Sequence, residues 1–458
     1  MPTDRRTRAN ERRLIAGIAV PVSLEFVLTL VLNFVNQVIV GVLGATAIAA
    51  VGFANSFVFI LIITFGALGV SVSILVARAF GGKRRVEMSH TLAAALIGSG
   101  VIAVLGALVP VVWPEQLMSA LGASQSVAAT GADFLRLSAL AMLPTVLVSV
   151  LSGALRSTGH ARVPLVATIV TVPLTTLLSY GLVLGAGPLP ELGVAGAGWA
   201  VLVATTLKLA ILLVDAYAVH RVFAWSLPEG LGEWRAIIVP LVVLAVPLGV
   251  TELLWSTGTF LYNVIAQQIG DSALAAIQIA TTMEAAFFVG SIGLMSATTA
   301  LVGQSVGHQD APGAAHWAKR LTTVGVYTGA WFGALLCLSA FAIPGLFANA
   351  GRDVQVLAIV GVVINGLTQV IKVRNLILGA GIMPSAGDVR GVILGDAIGA
   401  FVVGLPLAIV LGLFTPLGVV GLFLARVIEE VAKLAIFTAR THRINWLAVI
   451  SREVAATA

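Results

Sequence analysis

The sequence predicts an all-α integral membrane protein of about twelve transmembrane helices, in two pseudo-symmetric six-helix bundles around a central cleft. Three observations predict it. The 458-residue chain is 59% hydrophobic and only 10% charged, whereas a soluble domain carries about 25% charged residues. Apolar runs long enough to cross a bilayer recur between short polar breaks. The chain also repeats itself at half its length, as shown below. Strands of a β-barrel are excluded, because the runs are too long and do not alternate.

The expected spans are 14–42, 46–79, 91–112, 127–157, 163–186, 192–221, 236–269, 272–306, 317–344, 353–382, 390–413 and 417–440. The 48 glycines suit close helix packing in lipid. The opening MPTDRRTRANERR is polar and basic. The apolar run after it is too long for a signal peptide and lacks a clear cleavage site, so it reads as a retained first helix. Cys337 is the one cysteine and sits in an apolar run, which excludes an intrachain disulfide.

Positive charge sits in alternate breaks. One set holds the N-terminal tail, GGKRRVEMSH, RSTGHAR, the stretch Arg221 to Arg235, Lys319 with Arg320, Arg390 and the C-terminal tail. The other set, with PEQLMSALGAS, GAGPLPELG and IGDS, has almost none, Arg352 being its clear exception. The positive-inside rule then places both termini in the cytoplasm, and the excess of Arg over Lys with abundant Ala, Gly, Val and Leu fits a bacterium with GC-rich DNA, hence a bacterial inner membrane. The net charge of +6 reflects topology, and no nucleic-acid partner is expected. The expected organisation is an N-terminal lobe 1–221, a cytoplasmic linker 222–235, a C-terminal lobe 236–440 and a tail 441–458.

Adding 226 maps the first half onto the second. Pro21 falls on Pro247, Phe34 on Phe260, Gly44 on Gly270, Ala54 on Ala280 and Gly81 on Gly307. Residues 21–81 give 14 identities, where composition alone gives about six. The halves run parallel, because six spans return the chain to the same side. Two similar bundles facing a cleft form a transporter architecture.

The first helix of each half carries a polar stripe. Glu25, Thr29, Asn33 and Asn36 share one face, as do Glu252, Ser256, Thr259 and Asn263. Glu252 lies ~24 Å into its span and Glu25 roughly 16 Å. Hydroxyls at such positions commonly just bond helices together. A mid-membrane carboxylate instead faces water, an ion or a partner. Both glutamates are therefore candidate ion-coupling residues, and Na⁺ is a candidate occupant at Glu252. Asn33, Asn36, Asn263 and Thr259 are candidate cavity-lining polar groups. The aromatic residues Phe34, Trp255, Phe260 and Phe287 are candidate apolar contacts.

The second half holds further charges. Glu284 and Asp396 are candidate coupling carboxylates, and Arg374 and Asn375 are candidate cavity residues. Lys372 or Arg374 against Asp396 or Glu284 is an expected interhelical pair. In ARVIEEVAK, Arg426–Glu430 and Glu429–Lys433 are expected i,i+4 pairs. Lys208 and Asp215 are expected to pair or to reach the membrane surface. No nucleotide-binding loop and no HExxH is present. The six histidines fall at the cytoplasmic ends of spans, away from Glu429 and Glu430, which argues against an intramembrane metalloprotease. No enzyme activity and no cofactor is expected.

LNFVNQVIVGVLGATAIAAVGFA, LSGALRSTGHARVP, LGAGPLPELGVAGAGWA and IKVRNLILGAGIMPSAGDVRG, followed by EEVAKL and RINWL, resemble the MATE (multidrug and toxic compound extrusion) family in order and spacing. The resemblance covers nearly the whole chain and implies secondary active efflux. An amphipathic, cationic small molecule would be exchanged for Na⁺ or H⁺ through inward- and outward-open states, by a monomer in the bilayer. It implies that Glu252 matches an acidic coupling residue of the seventh helix and that Asp396 matches an aspartate of the eleventh. Where it implies aspartate in a VDT-like triplet, this chain reads VNQ. Asn36 cannot titrate, so coupling through the first half requires Glu25 to substitute. A lipid or lipid-linked glycan flippase and a non-transporting scaffold are the alternative readings.

Overall fold

A computed structural model describes the backbone of residues 2–457, and the side chains of 2–8, 45, 59–65, 349 and 456–457 lie outside the description. No strand occurs among the described residues. The long helices are α1 (Pro2–Gly41), α2 (Ala45–Gly81), α3 (Arg85–Val112), α4 (Gln125–Ser157), α5 (Arg162–Leu184), α6 (Val194–Val219) and α7 (Leu231–Ile269). They continue as α8 (Asp271–Gly307), α9 (Ala311–Leu346), α10 (Arg352–Ser385), α11 (Val389–Leu413) and α12 (Val419–His442). A short helix, Pro114–Ala120, precedes α4, and α13 (Trp446–Thr457) ends the described chain.

Over the described residues alone, ten of these helices are long and apolar enough to span a membrane, and α2 counts there as two shorter apolar stretches, Thr46–Val58 and Gly66–Gly81. The remaining two of the twelve are α2 and α12. The twelfth differs because charge interrupts its apolar face, and that charge builds the site described below. Outward-facing Val101, Leu105, Val243 and Leu338 are exposed, as expected of side chains that lipid covers. The chain is a multi-pass membrane protein of about twelve helices.

Caps set several helix starts. Ser124 accepts from the Val127 amide ahead of α4, and Asp310 accepts from the Gly313 amide ahead of α9. Asp388 accepts from the Gly391 amide at the start of α11. The turns carry the repeat. Lys83 and Gln309, 226 residues apart, both hold left-handed backbone, with φ 56° and 59°. Gly44 and Gly270, also 226 apart, both have positive φ, which a side chain resists. Pro21 and Pro247 lie inside α1 and α7 at the same offset.

The chain forms two compact units, and their limits keep that spacing. One is residues 1–23 with 250–458, and the other is 24–249. In the unit of 24–249, Ile39, Val40, Ala54, Phe134, Leu135 and Val183 form one core cluster. Val72, Leu92, Leu151, Leu155 and Leu212 form another. In the other unit, Tyr262, Ile265, Ile277, Leu336, Leu422 and Phe423 centre the core. The start of α1 belongs to this unit, where Ser23 donates to the Gly290 carbonyl of α8. Glu11 reaches Arg320 at 3.1 Å and His316 at 2.9 Å. Gly333 and Gly366 let α9 and α10 meet backbone to backbone, because a Cβ on either would strike the other's carbonyl.

Three helices contain π-helical turns: Asp215–Val219 in α6, Leu376–Ile382 in α10 and Ile398–Gly404 in α11. Such turns widen a helix and leave carbonyls off the regular ladder, and they often mark functional sites.

Candidate functional site

The unit of 1–23 and 250–458 holds a buried charge cluster where α7, α11 and α12 converge. Lys433 of α12 is its centre. Its Nζ lies 2.8 Å from Glu429, 3.7 Å from Asp396 and 3.9 Å from Glu430. Glu429 and Lys433 are buried. Their contact is the i,i+4 pair expected from sequence. The Tyr262 hydroxyl of α7 donates to Glu429 at 2.8 Å.

The other expected pair on α12, Arg426–Glu430, does not form among the described residues. The Arg426 guanidinium instead lies over the Tyr262 ring, 4.5 Å from its centroid. A ring face in a low-dielectric interior attracts a cation, and tertiary packing therefore overrides the local ladder. Nor does Asp396 pair with Arg374 or Lys372, because its cationic partner is Lys433 of the next helix. The expected Lys372–Glu284 pair is present at 2.6 Å, and Asn365 accepts from the same ammonium at 3.2 Å.

Asn375 of α10 donates to Glu430 twice, to its carboxylate at 2.7 Å and to its backbone carbonyl at 2.8 Å. The Asn375 Oδ1 is buried without a partner among the described residues. The π turn of α11 fits around the cluster. A Cβ on Gly399 would meet the Lys433 stem, and one on Gly404 would meet Glu429 and the Tyr262 hydroxyl. A small cavity opens beside these groups, lined by Trp255, Thr259, Tyr262, Asp396, Glu429 and Glu430 among others.

Glu252 lies two turns before Thr259 on α7 and is half-buried. It has neither hydrogen bond nor ion pair among the described residues. Its charged neighbour is Asp396, another carboxylate. Asn263, further along the stripe, accepts from Gln278 at 3.4 Å. Trp255 and Phe260 are exposed, and Phe287 packs on the core.

In the unit of 24–249, Glu25 has an opposite environment. Arg156 of α4 donates to one carboxylate oxygen at 2.6 Å, and Lys208 of α6 reaches the other at 3.0 Å. Glu25 is thus a buried carboxylate held by two cations. Lys208 was open to two readings in the sequence, and it pairs. Asp215 pairs with His220 at 2.9 Å. Thr29 donates to the Glu25 backbone carbonyl within its own helix, the ordinary role of a membrane threonine. Asn33 is exposed, and Asn36 keeps a buried Oδ1 without a partner among the described residues.

Sequence reasoning missed Tyr262, Gln369 and the partnership of Arg156 with Glu25. Gln369 is wholly buried, and neither of its amide atoms has a partner among the described residues. A polar residue amid the apolar run GLTQVI was its available signal. No group of three or more His, Cys, Asp or Glu suited to a metal occurs among the described residues.

Comparison with known proteins gives concordant matches. The family model MatE matches residues 21–181 and 247–410. The two matched segments start 226 residues apart, the offset of the internal repeat. The chain is 29% identical over 422 residues to "Probable multidrug resistance protein NorM" of Bradyrhizobium diazoefficiens, covering 89% of this chain and 88% of that one. It is 25% identical over 424 residues to "Multidrug resistance protein NorM" of Burkholderia vietnamiensis, with the same coverages, 89% and 88%. Among solved structures, an outward-facing multidrug resistance MATE family transporter of the MOP superfamily superposes with a TM-score of 0.85 at 19% identity, covering 96% of both chains. A MOP superfamily transporter from Pyrococcus furiosus, described as having a binding pocket of reversed polarity, gives 0.83 at 20% identity, covering 95% of this chain and 96% of that one.

Proposed function

We propose, on the premise that this chain belongs to the MatE family, that it is a secondary active multidrug efflux transporter. It exchanges an amphipathic, cationic small molecule for Na⁺ or H⁺ by alternating access. It does so as a monomer without a cofactor, in the bacterial inner membrane, with both termini cytoplasmic. The names of the NorM relatives support the substrate class. The apolar environment of the helices supports an amphiphile.

One observation carries the coupling role. Glu252 is a half-buried carboxylate with no counter-charge among the described residues, and its charged neighbour is itself an acid. A lone charge in such a place is costly, and uptake of a proton or a cation relieves it. Drug cation and coupling ion then compete for one anionic group, which obligatory exchange requires. Glu25 already has two cations, so the coupling site belongs to the second half of the chain.

The test is uptake of a fluorescent cationic amphiphile into proteoliposomes under an imposed Na⁺ or H⁺ gradient. Wild-type protein should accumulate the dye under one gradient, and Glu252→Gln should lose gradient-driven uptake at normal abundance. Wild-type uptake rates and ion dependence in Glu252→Gln would move the coupling role to Asp396 or Glu284. Movement of a labelled lipid and of no dye would favour the flippase reading.

A further inference from the structure

We infer that Asp396, Glu429 and Glu430, gathered around Lys433, form a proton-binding site that holds one exchangeable proton, on Asp396 or Glu430, separately from Glu252. The inference deepens the transport reading but rests on the cluster's own geometry.

The charge count comes first. Three carboxylates lie within 4 Å of one ammonium. Arg426 is nearby but is taken up by the Tyr262 ring. Even counting Arg426 in full, three negative groups face two positive ones. Glu252 adds a further negative neighbour to Asp396. An interior between membrane helices does not hold an uncompensated charge cheaply. At least one positive charge is therefore missing, before Glu252 is counted.

Geometry says what supplies it. The cavity at the cluster is small, with room for about one water-sized guest. An organic cation does not fit. A metal ion would have to sit beside the Lys433 ammonium, which already occupies the position central to all three acids. No suitable metal-binding group occurs among the described residues. A proton needs neither space nor a ligand shell.

Hydrogen bonding says where it resides. Glu429 takes the short contact with Lys433 and also accepts from Tyr262, so its ionised form is the one satisfied. Asp396 and Glu430 lie beyond hydrogen-bond distance from Lys433. Glu430 is met by a neutral amide, Asn375. That amide also supplies a second, independent sign. Asn375 is buried and its Oδ1 has no partner among the described residues. A protonated Glu430 has a hydroxyl to donate, and an amide oxygen turned toward it would accept. Ionised Glu430 thus accepts from the Asn375 amide, and protonated Glu430 can donate to the Asn375 Oδ1 once that amide turns and gives up its bond to the Glu430 backbone carbonyl.

Infrared spectroscopy of the full-length protein in lipid nanodiscs tests this without any substrate. The readout is the carboxylic-acid carbonyl stretch in the difference spectrum between mildly acidic and mildly alkaline buffer. Wild-type protein should show such a band. Asp396→Asn or Glu430→Gln should remove or shift it, and Glu252→Gln should leave a band that those variants abolish. Asn375→Asp, or Asn375→Leu should the aspartate fail to assemble, should shift its frequency. No protonatable band in the wild type would overturn the inference. So would a band untouched by both Asp396→Asn and Glu430→Gln, or one removed by Glu252→Gln alone. Failure of dye transport with the band behaving as described would overturn the transport reading and leave the proton site standing.

Discussion

Arg156 and Glu25, 131 residues apart in the chain, meet at 2.6 Å, and Lys208 completes the set on the other carboxylate oxygen at 3.0 Å. One anion thus holds two cations that would otherwise repel each other between α1, α4 and α6.

Glu25→Gln should accordingly lower the thermal melting temperature of purified protein in detergent. The loss should stay below the ~3–5 kcal/mol of a fully buried broken pair, because the Arg156 and Lys208 side chains remain 16% and 15% exposed. Adding Lys208→Met should recover part of it, since one unpaired cation is then removed. Melting equal to wild type in Glu25→Gln would show that the triad contributes nothing to stability. In transport, Glu25→Gln should cost less than Glu252→Gln.

Lys372 and Glu284 join α10 to α8 at 2.6 Å with both side chains largely buried. Lys372→Met and Glu284→Gln should each destabilise, and the double variant should be better than the sum of the two. A double-mutant cycle is expected to return a coupling of roughly 0.5–3 kcal/mol. Additive losses would place the two groups in separate environments.

His160 gives a pH dependence outside the spans. Burial, and then the neighbouring His220 charge, hold its imidazole below the usual histidine range. Its ring centroid lies 5.3 Å from that of His220. The unfolded chain then binds this proton more readily than the folded one. Stability is fully present above the ordinary histidine pKa of about 6.5 and falls as pH drops through the lower folded value. His160→Gln should flatten the melting-temperature profile in that window. An unchanged profile would assign the acid sensitivity elsewhere.

Cys337 packs on Gly366, and a Cβ at Gly366 would strike its sulfur and the Gly333 carbonyl. Gly366→Ala should push α9 from α10 at a cost of about 1–3 kcal/mol and speed maleimide labelling of Cys337. Labelling at the wild-type rate would mean that the helices absorb the methyl group without parting.

The helices were legible because lipid allows few alternatives. An apolar run of sufficient length in a bilayer must satisfy its own backbone. The last span, expected at 417–440, is observed as Val419–His442. The Glu429–Lys433 pair was legible because a helix brings i and i+4 together. Arg426 escaped, since its ring partner Tyr262 comes from α7. Glu25 escaped further, because its partners lie 131 and 183 residues away and nothing local encodes them. Asp396 was legible as an acid inside an apolar run, but its partner could be any of several cations until α11 was set against α12.

The π turn Ile398–Gly404 has a consequence for how this protein can tolerate change in its length. Each residue of an α-helix turns the chain by about 100°. Asp396 precedes the turn and Gly404 ends it, yet both face α12, where they meet Lys433 and Glu429. In an ordinary α-helix eight residues would set the two about 80° apart, whereas the seven left by a one-residue deletion would set them only about 20° apart. A substitution at most of these positions leaves the register alone. The count therefore decides whether the turn is needed, and a one-residue alignment gap there would mark a protein that reaches the same α12 face with an ordinary helix, not one that has given up this charge cluster.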